Sequence, residues 1–207
     1  MGYKLVLNLG FLLYWLMPTF GITDVPPLEN KRTLSAFSEK MPQSDQNPSK
    51  IQRIELSWKS FRKRQNSNLP YIAYTAHKTF YKYRATQKGT NVSLAFEVRI
   101  LLDSANTTVN YNRLKDLTPG AQLKLLQHEQ GHTDLAVIYG RELYKQFNAQ
   151  PYTVTNFKTK TRTIYLKLME SLANENRTYD IATEHGFNND KQKIWAANIA
   201  RRLKLLD

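Results

Sequence analysis

The sequence contains no cysteine, so disulfide bonds and thiolate-bound metals are excluded. Any metal must therefore be bound by His, Asp or Glu side chains. Histidine is also scarce, with four residues in a chain of 207. The length predicts one domain besides any targeting segment, and a content of 41% hydrophobic and 12% aromatic residues is typical of a globular protein.

Acidic residues are few beside basic ones, 17 against 30, which gives a formal net charge of +13. The basic side chains are scattered, apart from short clusters within residues 59–64 and 201–204. The sequence has no helix-turn-helix, zinc-knuckle or Gly-rich RNA-binding signature. We therefore interpret the excess charge as a solvated basic surface and predict no nucleic-acid partner.

The one long apolar run lies near the N-terminus. Lys4 precedes this run, which ends at Pro18. The arrangement predicts a signal peptide over residues 1–21, with the mature chain beginning near Ile22. Asn8 interrupts the run, which is short for a membrane span, and an uncleaved anchor is the alternative. We expect a secreted or periplasmic protein without stable membrane insertion after cleavage.

Residues 22–50 are rich in Pro, Ser, Asn and Gln and have little periodicity, which predicts a flexible linker. Residues 51–207 form the predicted folded domain. Alternation of apolar and polar residues predicts strands over residues 51–61, 71–83 and 91–103, with a turn at residues 87–90. The strand at residues 91–103 has the clearest pattern. Together they predict an antiparallel sheet of three or four strands.

Helical periodicity follows a polar connection over residues 104–117. Thr118 is a good N-cap and Pro119 a good first residue for a helix that ends near Asn148. A second helical pattern covers residues 151–173, and the polar run 174–178 is expected to end or bend it. A third helix is predicted over residues 190–206. The fold class is therefore α+β, with a small sheet packed on a long helix and further helices.

The first helix contains the sequence His128-Glu129-Gln130-Gly131-His132, which fits His-Glu-x-x-His. Residues four apart lie on one helical face, so the two imidazoles can bind one Zn²⁺. Glu129 is rotated about 100° from His128, where it is suited to act as a general base on a metal-bound water. A glycine inside a helix costs about 1 kcal/mol relative to Ala, so Gly131 suggests that another group approaches the backbone. The alternative is a helix with two half-buried structural histidines.

A catalytic zinc usually takes a third protein ligand and a water. His185 is the first choice, because a neutral imidazole binds zinc well and the residue lies in a polar cluster beside Gly186. Asp180 is the second choice and Glu170 the third. Asp134 is expected to orient a ligand rather than bind the metal. His77 is interpreted as a surface or structural histidine.

Three elements of the sequence resemble a bacterial family, domain-of-unknown-function family 922, described as predicted secreted zinc-dependent proteases. They are Leu125–Asp134, the Tyr-Asp-x-x-Thr-x-His-Gly element at residues 179–186, and Gln192-x-x-Trp195. Leu56-Ser57-Trp58 and Ala73-x-Thr75 also resemble its N-terminal part. The family usually has an aromatic residue where this chain has Thr133. The resemblance implies a zincin-like fold, with His128 and His132 as zinc ligands and Glu129 as base, and it favours His185 as the third ligand.

These observations predict an exported zinc metallopeptidase that acts on a peptide or protein substrate. Tyr179, if it reaches the cleft, would donate a hydrogen bond to the developing oxyanion; otherwise it is a core tyrosine. The strand at residues 91–103 could offer an edge to an extended peptide. Two alternatives stay open: a non-catalytic zincin-fold binding module of the cell envelope, and an amidase that uses the same metal.

Overall fold

The computed structural model describes residues 51–65 and 71–206 of the chain. The predicted signal peptide and linker lie outside the described residues. The fold is α+β, as predicted. Its elements, in chain order, are a 3-10 helix Trp58–Ser60, β1 (Arg62–Arg64), β2 (Ala73–Tyr74), β3 (His77–Lys88), β4 (Asn91–Leu102), β5 (Thr108–Asn110), α1 (Tyr111–Lys115), α2 (Pro119–Asn148), β6 (Tyr152–Thr153), α3 (Phe157–Thr183) and α4 (Asn189–Leu205).

Strands β3 and β4 form a long antiparallel hairpin that turns at Gly89, as the sequence predicted. Gly89 has φ +61°, a conformation that glycine adopts without steric cost. Strand β6 extends the hairpin to an antiparallel sheet with the order β3-β4-β6. One face of β4 is buried against α2, where Phe96 stacks on Phe147 with ring centroids 4.4 Å apart. The hairpin thus supplies the main core of the domain.

A second sheet, with the order β1-β5-β2, corrects two predictions. The strands are divided between two three-stranded sheets, and the expected polar connection over residues 104–117 contains β5 and α1. Two buried polar side chains of this segment bond to the backbone. Thr107 is fully buried with its hydroxyl bonded to Ala76, and Asn110 caps α1 by accepting from the Arg113 amide.

The predicted strand over residues 51–61 is wrong. This segment runs beside α2 and pairs with a side chain, not with a strand. The Leu56 amide donates to Gln130 Oε1, and Gln130 Nε2 donates to the Ile54 carbonyl, both at 2.8 Å. A side-chain amide thereby satisfies the backbone that a neighbouring strand would otherwise pair with.

Helix α2 has the predicted bounds, and the Thr118 side chain accepts from the Ala121 amide as an N-cap. Leu135, Leu143 and Phe147 along its predicted apolar stripe are fully buried. Helix α3 differs from the prediction, because it continues through the polar run at residues 174–178 to Thr183. Within the described part of the chain, no helix is both long and apolar enough to cross a membrane.

Candidate metal centre

His128 and His132 bring two ring nitrogens together on α2, as their spacing predicted. Their Nε2 atoms are 3.3 Å apart. His128 is almost fully buried, whereas 13% of the His132 side chain is exposed. One histidine of the pair is therefore enclosed, and the other is in part accessible to solvent.

Asp180, on the last turn of α3, completes a group of three side chains of types that bind metals. Its Oδ1 atom is 2.9 Å from His132 Nε2 and 3.1 Å from His128 Nε2. These side chains each offer one atom within 4.8 Å of the others and could hold a metal ion. The sequence placed Asp180 second among the candidates for a third ligand.

The outer nitrogens of both imidazoles have protein partners. Nδ1 of His132 is 2.8 Å from Oδ1 of Asn176, and Nδ1 of His128 is 3.2 Å from Oε1 of Gln192. The Thr183 hydroxyl, which donates to the Tyr179 carbonyl, is also 3.3 Å from His128 Nδ1. Because both amide oxygens only accept, they favour the tautomer with the proton on Nδ1 and leave Nε2 free to bind a metal.

Hydrogen bonds and charges within the group shift the pKa values of His132 and Asp180. Burial would lower the pKa of His132, but hydrogen bonding to Asp180 and the charge of that carboxylate outweigh it and raise the pKa to about 9. Burial would raise the pKa of Asp180, yet the hydrogen bonds from the three surrounding histidines lower it far below its ordinary value. These shifts favour a proton on His132 beside an ionised Asp180.

His185 lies beside this group but on its outer side. Its Nδ1 atom is 3.5 Å from Asp180 Oδ1, and half of the side chain is exposed. The hydrogen bond to Asp180 raises its pKa. The residue belongs to a left-handed turn after α3, in which Glu184, His185 and Gly186 have φ values of 50°, 53° and 88°. A Cβ on Gly186 would lie 2.9 Å from the Cβ of His128, so glycine allows this turn to cover the buried histidine.

Two other acidic candidates lie elsewhere. Glu170 is exposed on α3 and is not part of the three-residue group. Asp134 binds Arg53 through both carboxylate oxygens, at 2.8 and 2.9 Å, and Oδ1 also accepts from Gln130. The expectation that Asp134 orients a ligand is therefore wrong, because these partners fix the segment before the 3-10 helix to α2 instead.

Glu129 is buried beside the group, with 3% of its surface exposed. Its Oε2 atom accepts a hydrogen bond of 2.5 Å from the Thr75 hydroxyl. Its role as a base remains a prediction. Tyr74, next to Thr75, is half-buried; burial raises its pKa, and the negative charges of Glu129 and Asp180 contribute.

Tyr179 is fully buried beneath the two histidines. Its ring stacks on His128 with centroids 4.7 Å apart, and its hydroxyl donates to the His128 carbonyl and accepts from Gln192. These contacts describe a core tyrosine, the alternative that the sequence left open, and they do not support the oxyanion role. A Cβ on Gly131 would lie 2.3 Å from the hydroxyl oxygen, which confirms that this glycine admits another group to the backbone.

His77 bonds to the Thr133 hydroxyl at 3.1 Å, and burial together with the charge of His132 lowers its pKa to about 4. Sequence reasoning gave no role at the site to three residues, Thr75, Asn176 and Gln192, although Thr75 and Gln192 belong to the elements that resemble the family. For Asn176 a signal existed, since it precedes Asp180 by four residues and shares its helical face once α3 is continuous. The other two come from distant parts of the chain.

A family model described as "Bacterial protein of unknown function (DUF922)" matches residues 40–186, which include His128, His132, Asp180 and His185. The matched region ends at Gly186, before α4 and Gln192. No curated protein and no solved structure matches the chain.

Proposed function

We propose that this chain, which belongs to the family of bacterial proteins of unknown function (DUF922), is an exported zinc-dependent peptidase with a zincin-like arrangement. His128, His132 and Asp180 would bind the zinc ion, and Glu129 would serve as general base. The observation that carries the proposal is the convergence of two Nε2 atoms and one carboxylate oxygen at 2.9–3.3 Å from each other.

This convergence favours a bound cation, either a proton or a metal. With both Nδ1 atoms bonded to amide oxygens, neutral imidazoles present lone pairs at Nε2. Two lone pairs and a carboxylate repel each other at such distances unless a proton or a metal lies among them. In a tetrahedral zinc shell with bonds of about 2.0–2.1 Å, neighbouring ligand atoms are about 3.3 Å apart. The observed separations are close to that value, which supports a zinc-sized site.

The ligand chemistry also favours zinc. Imidazole nitrogens suit zinc better than they suit calcium or magnesium, which prefer oxygen. Two histidines and one carboxylate leave a fourth position for water. His185 lies 3.5 Å from Asp180 and would either orient that carboxylate or replace it as the third ligand, which was the prediction from sequence.

Zinc, when bound, lowers the pKa of its water and polarises the carbonyl that the water attacks. Glu129 would accept the proton of the attacking water and return it to the leaving amine. Asn176 and Gln192 would hold the two imidazoles in the tautomer that presents Nε2. Tyr179 would support His128 from below.

Metal analysis of purified variants tests the ligand set. We expect one zinc per wild-type chain and loss of zinc in His128→Ala, His132→Ala and Asp180→Ala. His185→Ala should retain it, and His77→Ala, whose ring bonds to Thr133 instead, is the matched control. A wild-type protein that binds no zinc after incubation with the metal would exclude the proposal. Loss of zinc in His185→Ala with retention in Asp180→Ala would exchange the third ligand.

Hydrolysis is tested with Glu129→Gln on a peptide library and on cell-wall fragments. The variant should keep zinc and lose about 10²–10⁴-fold in rate, the usual contribution of general base catalysis. Cleavage of the cell-wall fragments without cleavage of the library peptides identifies an amidase. A zinc-loaded wild type that cleaves neither substrate points to the binding module.

A further inference from the structure

The hydrogen bond between Thr75 and Glu129 joins two distant parts of the chain at the candidate metal centre. Thr75 lies between β2 and β3, and Glu129 lies 54 residues later on α2. Both residues are buried, with 8% and 3% of their surfaces exposed. A buried carboxylate is costly unless it is hydrogen-bonded, so the Thr75 hydroxyl compensates part of the cost of enclosing Glu129.

The backbone directly after Thr75 is fixed by hydrogen bonds. The Ala76 carbonyl accepts from the Asp103 amide at 2.8 Å, and the Ala76 amide donates to the buried Thr107 hydroxyl at 3.1 Å. His77, two residues after Thr75, bonds to Thr133, which lies one helical turn after Glu129 on α2. Residues 75–77 therefore lie alongside α2, and the threonine hydroxyl has little freedom to leave the carboxylate.

We propose that Thr75 is the positioning residue of the general base: its hydroxyl holds Oε2 of Glu129, so that Oε1 is the oxygen that takes the proton. The inference rests on the proposed function. A β-branched side chain has few rotamers, so a fixed backbone also fixes the hydroxyl. Hydrogen bonds to ionised acceptors are among the stronger ones in proteins, and this one directs the carboxylate without occupying both of its oxygens.

Two substitutions separate the hydroxyl from the shape of the side chain. Thr75→Val keeps the volume and removes the donor, whereas Thr75→Ser keeps the donor and removes a methyl group. The matched control is Thr161→Val, which removes a hydroxyl that is also buried, on α3. Thr161 precedes Asp180 by nineteen residues (180 − 161), about 28 Å along the helix axis.

We expect Thr75→Val to keep its zinc and to lose about 10–100-fold in kcat, because a misplaced catalytic group costs rates of that order. KM should change little, since the hydroxyl touches the base and not the substrate. Thr75→Ser should recover most of kcat, and Thr161→Val should leave it unchanged. An unchanged kcat in Thr75→Val, or a loss that Thr75→Ser does not recover, overturns the inference.

Thermal unfolding distinguishes failure of this inference from failure of the proposed function. If the contact is real, Thr75→Val should lower Tm more in a chain with Glu129 than in a Glu129→Ala background, where no carboxylate is left unpaired. Equal losses in the two backgrounds overturn the contact itself. If the two Tm losses differ but the zinc-loaded protein hydrolyses no substrate, the contact is real and the peptidase is refuted. The role of Thr75 in positioning a general base is then refuted as well.

Discussion

Substituting Gly131 by Ala tests how closely α2 and Tyr179 pack beneath the two histidines. The added Cβ would lie 2.3, 2.7 and 2.9 Å from the hydroxyl oxygen, Cζ and Cε1 of Tyr179. Ordinary carbon contacts are about 3.5–4.0 Å, so the ring must move by about 1 Å. It has little room, because Tyr179 is fully buried, and its hydroxyl bonds to both the His128 carbonyl and Gln192.

Two opposing effects determine the size of the loss. Alanine favours the helix by about 1 kcal/mol relative to glycine. Overpacking a core costs about 1–3 kcal/mol, and the three short distances here argue for the upper end. The net loss should be about 2 kcal/mol, which corresponds to a fall in Tm of about 4–8 °C for a domain of this size. Zinc affinity should fall as well, since the displaced ring stacks on His128.

The assay is denaturant and thermal unfolding of the metal-free and zinc-loaded variants. Gly120→Ala is the control, because it is also on α2 and a Cβ there would meet no atom within 4 Å. It should not lower Tm. If Gly131→Ala unfolds at the same temperature as the wild type or above it, the close packing of Tyr179 on α2 is refuted.

Three further predictions concern charge, ligand support and export. In metal-free protein, the raised pKa of His132 contributes stability that is present below pH 6.5 and is lost as the pH rises toward 9. Unfolding measured across this pH range should show that the free energy of unfolding falls by about 3 kcal/mol. Asp180→Asn should abolish this pH dependence. Gln192→Leu should weaken zinc binding about 10–100-fold in a competition with a chelator, whereas the exposed neighbour Lys191→Leu should not; equal affinities would remove Gln192 from the site. N-terminal sequencing of exported protein should find Ile22 or a residue close to it, and an intact Met1 would contradict the signal peptide.

The helix that carries the motif was predictable because its signals are local. Thr118 and Pro119 mark the start of α2, and its apolar stripe continues to the end, so short-range patterns define it. The same holds for the β3–β4 hairpin and the turn at Gly89. The second helix was predicted, but its expected end or bend at residues 174–178 was wrong. Asn176 and its polar neighbours looked like a break, whereas in the fold Asn176 faces His132.

The third side chain of the group was not decidable from sequence, since Asp180 and His185 are only five residues apart. Their separation in space depends on the left-handed turn after Thr183, in which two non-glycine residues have positive φ. This turn packs against His128, a contact between distant parts of the chain. The partners Thr75 and Gln192 also depend on tertiary contacts.

The segment from Ile51 to Leu56 bears on how far the domain can be trimmed by a protease. It has no helix or strand, yet the Ile51 carbonyl accepts from Arg141, Arg53 binds Asp134, and Gln130 bonds to the backbone at Ile54 and Leu56. A fragment beginning at Ser57 would keep every regular element and lose all of these bonds. It would leave Asp134 buried without its guanidinium and remove the backbone partners of Gln130, the residue between Glu129 and Gly131. We therefore expect the smallest fragment that keeps the candidate metal centre in shape to include Ile51.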